Sequence, residues 1–234
     1  MKYFITLFVL IFTLQTDAFA QSGHEGHQHN STSAPQSHSG HNHPVNNGKI
    51  TTPELLTQKL EGDIIYGEQD APVAIVEYAS LSCGHCARFY NEILGKLKEN
   101  YISNGKVKLT YRHYPLNPPA LQAAMLVECA TDNKKKQELI GALFMTQNDW
   151  AFTNNFNSKL RNIAKESAIK AERFDACIDD NKKQEALLGL QLKAQKELSV
   201  QSTPTIFVNG ELYKFRGYEY LSKHIDGLLQ STQE

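Results

Sequence analysis

The sequence predicts an α/β domain split by a helical insert. Three observations carry that prediction. A strand, a helix and a second strand follow one another between residues 73 and 112. Residues 119–198 then show helical spacing only. Strand signals return at residues 205–215, around an Asn-Gly turn. Strand–helix–strand order points to a sheet covered by helices, and the helical stretch falls between its two parts.

Val73-Ala74-Ile75-Val76-Glu77-Tyr78-Ala79 is a short apolar run rich in β-branched residues, the pattern of a strand buried on both faces. Its only charge is Glu77. After Ser80-Leu81-Ser82, a helix is expected from Cys83 to about Asn100, because Phe89, Ile93, Leu94 and Leu97 share one face. Val107-Lys108-Leu109-Thr110-Tyr111-Arg112 alternates and reads as the next strand.

In the insert, Leu121, Met125 and Cys129 lie on one helical face. Leu139, Leu143 and Phe144 mark a second helix, and Leu160, Ile163 and Ala164 a third. Phe174, Cys177 and Ile178 mark a fourth, and Leu187, Leu188 and Leu192 a fifth. Thr205-Ile206-Phe207-Val208, Asn209-Gly210 and Glu211-Leu212-Tyr213-Lys214-Phe215 predict a hairpin, since Asn-Gly is the strongest two-residue turn signal. A last helix is expected at 219–229. Residues 51–62 read as a short helix and linker starting near Thr52-Pro53-Glu54, where Pro and Glu suit a first turn. The packed domain begins near Asp63: residues 63–116, the insert at 117–199, and the returning part at 200–232. About 170 residues suffice for one core.

The start of the chain carries a different signal. Lys2 precedes an apolar run of about twelve residues, and Asp17-Ala18-Phe19-Ala20 fits a small-x-small cleavage rule. Residues 1–20 are therefore expected to be a secretory signal peptide, the run being short for a membrane span. Residues 21–50 are Gln, Ser, Gly, His, Asn and Pro with almost no apolar side chains, and are expected to be disordered. Six of the nine histidines fall there: His24, His27, His29, His38, His41 and His43. Such a segment is a solvated tether or a weak, exchangeable metal binder. Lys plus Arg number 24 and Asp plus Glu 25, a net charge of −1. That balance lacks the basic excess of a nucleic-acid binder.

Export places the chain in the periplasm, an oxidising compartment where disulfides persist. The four cysteines are a tight pair, Cys83 and Cys86, and a distant pair, Cys129 and Cys177. Four cysteines can pair in three ways. Cys83-Gly84-His85-Cys86 opens a helix after a buried strand. Free N–H groups and the positive end of the helix dipole stabilise a thiolate there, so Cys83 is the expected attacking sulfur. Cys86, one turn on, is placed to resolve a mixed disulfide, and His85 to add positive charge and a hydrogen bond. A zinc site would need further close ligands, and His113 and His224 stand alone. A purely structural Cys83–Cys86 bridge would restrain little chain.

These residues resemble the DsbA-like branch of the thioredoxin superfamily. The resemblance rests on Val76-Glu77-Tyr78-Ala79-Ser80-Leu81-Ser82-Cys83-Gly84-His85-Cys86, on the helical insert, and on Ser202-Thr203-Pro204-Thr205-Ile206-Phe207-Val208-Asn209-Gly210. It covers roughly residues 63–232 and implies a thioredoxin fold interrupted by a helical insert domain. It implies that Pro204 is a cis-proline beside the cysteines, preceded by Thr203, whose backbone pairs with the substrate and whose side chain tunes the potential. It implies that Glu77, six positions before Cys83, is a buried acid that accepts the proton of Cys86; otherwise Glu77 faces an edge. A carboxylate in that run should have a raised pKa. Some members of the branch carry a second, structural disulfide in the insert, and the resemblance favours one here, Cys129–Cys177; the alternative is two buried free thiols.

The function implied is protein thiol–disulfide oxidoreduction without metal or organic cofactor. Reduced cysteines of exported proteins would pass electrons to the Cys83–Cys86 disulfide, and a membrane disulfide oxidase would reoxidise it. The alternatives are a reductase or isomerase on the same fold, or a metal-handling protein using the His-rich segment.

Overall fold

The structure, a computed structural model, describes residues 54–231. The expected signal peptide, the His-rich segment and the start of the first helix at Thr52-Pro53 lie outside them. From Glu54 the chain makes a single helical turn, α1 (Glu54–Thr57), rather than a helix reaching residue 62. It then bends at Gly62 (φ +85°) into a strand not visible in the sequence, β1 (Ile64–Tyr66).

β2 (Val73–Ala79) is buried along nearly its whole length. It leads into α2 (Gly84–Arg88), and the helix runs on through a wider π-type turn (Phe89–Leu94), α3 (Gly95–Leu97) and a second π-type segment (Lys98–Ile102). β3 (Val107–His113) completes a parallel strand–helix–strand unit. The insert consists of α4 (Pro118–Glu128), α5 (Asn133–Met145), a short α6 (Gln147–Trp150), α7 (Phe156–Glu166), α8 (Ala171–Ile178) and α9 (Asn181–Leu198). Asn117, Asp132 and Asp180 cap α4, α5 and α9 by accepting from backbone N–H groups three residues on. β4 (Thr205–Val208), β5 (Glu211–Tyr213) and α10 (Tyr218–Ser231) complete the chain.

The sheet order is β1-β3-β2-β4-β5, with only β2 and β3 parallel. At the hairpin turn Asn209 and Gly210 both have positive φ, +46° and +83°, as a two-residue primed turn requires. Asn209 also exchanges two hydrogen bonds of 2.8 Å with the backbone of Ala74, pinning the turn to β2. The second strand of the hairpin stops at Tyr213, two residues earlier than its alternation predicts; among the described residues β5 is an edge strand that pairs with β4 alone.

Alternation along β2 divides the core. Ile75 and Ala79 face the large cluster that holds Cys86, Phe89, Leu97, Leu126, Ile140 and the fully buried Trp150. Val76 and Tyr78 face the opposite side with Phe207, Tyr114 and Ala194. On that side Arg112 is gripped by Asp63 through two hydrogen bonds, of 2.7 and 3.0 Å, and by carbonyls of Leu55 and Gln58. A buried guanidinium must be paired to be tolerated, so this fork ties α1 and the following turn to β3. The expected face of α9 needs correcting. Leu187 and Ala194 are buried, but Leu188 and Leu192 are 40% and 48% exposed. The helix presses a narrow seam into the body rather than a broad leucine stripe.

Candidate active site

The turn that delivers Cys83 is held from several sides. Cys83 N–H donates to Ser80 O at 3.0 Å, and Ala87 N–H donates back to Cys83 O at 3.0 Å, the first bond of α2. Cys83 itself is the N-cap, with extended φ −86° and ψ 120°. Cys83 Sγ donates to Thr203 O at 3.2 Å, across 120 residues of sequence. The Thr203–Pro204 peptide bond is cis. The Thr203 hydroxyl is buried and has no hydrogen-bond partner in this thiol state.

Ionising Cys83 changes these roles. At an N-cap the sulfur is the natural acceptor for the N–H groups two and three residues on, here His85 and Cys86. The Cys86 thiol, Thr203 and those two N–H groups together bring the Cys83 pKa down to about 5, against an opposing penalty from partial burial. The Cys86 thiol is the largest contributor. Cys86 is fully buried, and burial, its hydrogen bond to Cys83 and the nearby Glu77 push its own pKa far up. One sulfur is thus an accessible thiolate at neutral pH and the other a buried thiol. The His85 imidazole is exposed, and the hydrogen bond that His85 gives the Cys83 thiolate comes from its backbone N–H.

Glu77 does not face an edge. It sits in register with Tyr111 of β3 and Ile206 of β4, in the middle of the sheet. By alternation it shares the face of Ile75 and Ala79, beneath α2. It is 4% exposed. Burial first, and the Cys83 charge second, push its carboxyl up to about 8. At neutral pH this carboxyl is therefore mostly protonated and lies within electrostatic reach of both sulfurs. Tyr66 and Tyr111 lie on the same face, with buried hydroxyls held neutral by burial.

One site residue is invisible in the sequence. Gln147, at the start of α6, is buried and donates from Nε2 to Leu81 O at 2.7 Å and Cys83 O at 3.1 Å. Both amide protons therefore clamp the active-site turn from the insert. A glutamine among polar neighbours carries no periodic or motif signal that could single it out.

Cys129, buried at the C-cap of α4, is bonded to Cys177 of α8, with Cα atoms 5.8 Å apart. Arg173 donates twice to the Cys129 carbonyl, at 2.6 and 3.0 Å. His113 is buried, with Nε2 3.7 Å from Glu128, and His224 stacks on Tyr213. Among the described residues no three His, Cys, Asp or Glu side chains form a metal-binding group. The six histidines between His24 and His43 lie outside those residues.

A family model described as Thioredoxin matches residues 59–227. A probable disulfide bond formation protein D of Bacillus cereus is 30% identical over 187 residues, covering 78% of this chain and 85% of that protein. A Rickettsia conorii protein carrying the name protein-disulfide oxidoreductase is 26% identical over 174 residues; the match covers 74% of this chain and only 63% of the relative's length. Among solved structures, alpha-DsbA1 of Wolbachia pipientis superposes with a TM-score of 0.71 at 30% identity, covering 77% of this chain and 97% of that one. Oxidised BdbD of Bacillus subtilis, at 24% identity and a TM-score of 0.66, shares the fold over 74% of this chain and 95% of its own. The chain belongs to the thioredoxin family, in its DsbA-like branch.

Proposed function

We propose that this chain is an exported oxidase that introduces disulfide bonds into secreted or periplasmic proteins. The observation that carries the direction is the asymmetry of the pair: Cys83 titrates at about 5, while Cys86 is a buried thiol. A stabilised thiolate favours the reduced form, so the disulfide is a strong electron acceptor.

Two thiolate attacks complete the exchange. A substrate thiolate attacks Cys83 Sγ, forming a mixed disulfide and breaking the Cys83–Cys86 bond. Cys86 leaves with the electron pair and takes a proton, which the neutral Glu77 carboxyl supplies. A second substrate thiolate attacks the substrate sulfur of the mixed disulfide, and Cys83 leaves as a stable thiolate. The substrate has lost two electrons and the pair has gained them. The Glu77 carboxylate left behind is reprotonated from water; in the reverse direction Cys83 attacks, Cys86 resolves, and the ionised fraction of Glu77 accepts the Cys86 proton. Thr203 and Pro204 form the wall against which the substrate lies, Gln147 keeps the turn in place, and Cys129–Cys177 staples the insert. A membrane disulfide oxidase takes the electrons and restores the disulfide. Export rests on the pattern of residues 1–20.

The test is the reduction potential of the Cys83–Cys86 pair, measured by equilibration with glutathione buffers. A value well above the ~−270 mV of thioredoxin, toward the ~−120 mV of DsbA, is expected. A value at or below that of thioredoxin would reassign the chain as a reductase.

A further inference from the structure

From Thr203-Pro204 and His85 a trough about 730 Å³ in volume runs outward beside β5. It continues into a second hollow of about 550 Å³ along α10, the two sharing Tyr213, Lys214 and Arg216. Arg88 lines the first part and Lys223 the second. Four cationic side chains therefore face one carboxylate, Glu92, on a chain whose net charge is −1. All four are exposed, and none has an ion-pair partner among the described residues, whereas Arg112, Lys135, Lys136 and Arg161 elsewhere are paired. Of the other acids on these elements, Glu211 and Glu219 are exposed outside the lining and Asp226 is held by Tyr101 at 2.9 Å.

Apolar groups accompany the charge. Leu212 is 70% exposed in the first part and Tyr220 60% exposed in the second. β5 is also the last strand of its sheet among the described residues, none of which forms a strand along its outer backbone edge. A free edge next to exposed apolar side chains suits an extended peptide, and unpaired cations at its rim favour one of negative charge.

We propose that this trough selects the substrate: it receives an extended stretch, acidic with apolar residues between, that flanks the reacting cysteine of a reduced protein. The proposal rests on the oxidase reading above and deepens it. Lys214 and Arg216, common to both parts, are its specificity-determining residues.

The test uses the full chain, oxidised at Cys83–Cys86, and three single-cysteine peptides. They are matched in length and carry glutamates, glutamines or lysines beside the cysteine. Stopped-flow measurement gives the rate of mixed-disulfide formation for each. The Lys214→Glu/Arg216→Glu variant is measured in parallel, so that the effect of peptide charge on the peptide's own thiol cancels in the ratio. At low salt the acidic-to-basic rate ratio should exceed that of the variant by about tenfold or more, within the range of electrostatic steering. In the unmodified protein it should fall as salt rises. Equal ratios in protein and variant, or a ratio insensitive to salt, would overturn the proposal. So would binding of the unmodified protein to anionic phospholipid vesicles without any peptide preference, which would make the face a membrane contact. If no peptide is oxidised at all, the oxidase reading itself fails, a result distinct from oxidation without charge preference.

Discussion

Replacing Glu77 by Gln keeps the side chain's shape and removes its charge, so it isolates the cost of burying a carboxylate. The Glu77 pKa is raised from its usual 4.5 to about 8. Linkage gives the sign. A group whose folded pKa is raised imposes no penalty below its unfolded pKa, and the folded state loses stability as pH rises through the folded value. At ~1.4 kcal/mol per pH unit, the penalty at pH 7 is about 3 kcal/mol, growing to about 5 kcal/mol well above pH 8. The glutamine amide adds a pH-independent offset of its own, so the diagnostic quantity is the change with pH. Urea unfolding of the reduced protein and the Glu77→Gln variant at pH 4 and pH 7 should show the variant gaining about 3 kcal/mol between them. The second cause of the shift is the Cys83 charge. The gain should therefore be smaller in the oxidised protein, which has no thiolate. A stability difference that is the same at pH 4 and pH 7 would mean that Glu77 titrates as an ordinary surface carboxylate, and the proton-transfer role would fall with it.

Three further outcomes are expected. Thiolate absorbance of the reduced protein should titrate with a midpoint of about 5, and Cys86→Ala should raise it by removing the largest lowering cause. A depressed pKa stabilises the reduced fold fully above the usual thiol value and loses that effect as pH falls through about 5; a midpoint near 9 would refute the assignment. Gln147→Ala should cost about 1–3 kcal/mol, because the buried Leu81 carbonyl loses its donor and that of Cys83 loses one of two. It should also shift the Cys83 midpoint; thermal melting together with an unmoved midpoint would reduce Gln147 to a packing role. Opening the Cys129–Cys177 loop with Ser at both positions should cost about 4 kcal/mol in the chain-entropy account. The Cys83–Cys86 potential should stay unchanged, and a changed potential would show the two pairs to be coupled.

The legible parts of the fold were those with a repeating signal. β2, β3 and the hairpin turn at Asn209-Gly210 announce themselves by β-branched runs, alternation and a turn dipeptide. The insert helices announce themselves by spacing. β1 is different: three residues hold no period. Its backbone is satisfied from outside, by β3 on one side and on the other by Asn133 and Gln137 of the insert, which bond to Ile65. The exposed Leu188 and Leu192 show the converse failure, since a helix can carry an apolar stripe that its neighbours do not cover.

Within the site, the sequence by itself determined the chemistry: two thiols one helical turn apart, at a helix start, with one acid in the strand before them. Their identity and local spacing suffice, because helix and strand geometry place them without reference to the rest of the chain. Tertiary structure alone decided how those groups behave. Glu77 turns inward because the sheet register puts it between Tyr111 and Ile206, and burial raises its pKa. The Thr203 carbonyl meets Cys83, and the Gln147 amide meets Leu81 and Cys83, across 120, 66 and 64 residues. Ionisation depends on what lies within a few ångströms in space, and those neighbours come from segments that share no local pattern.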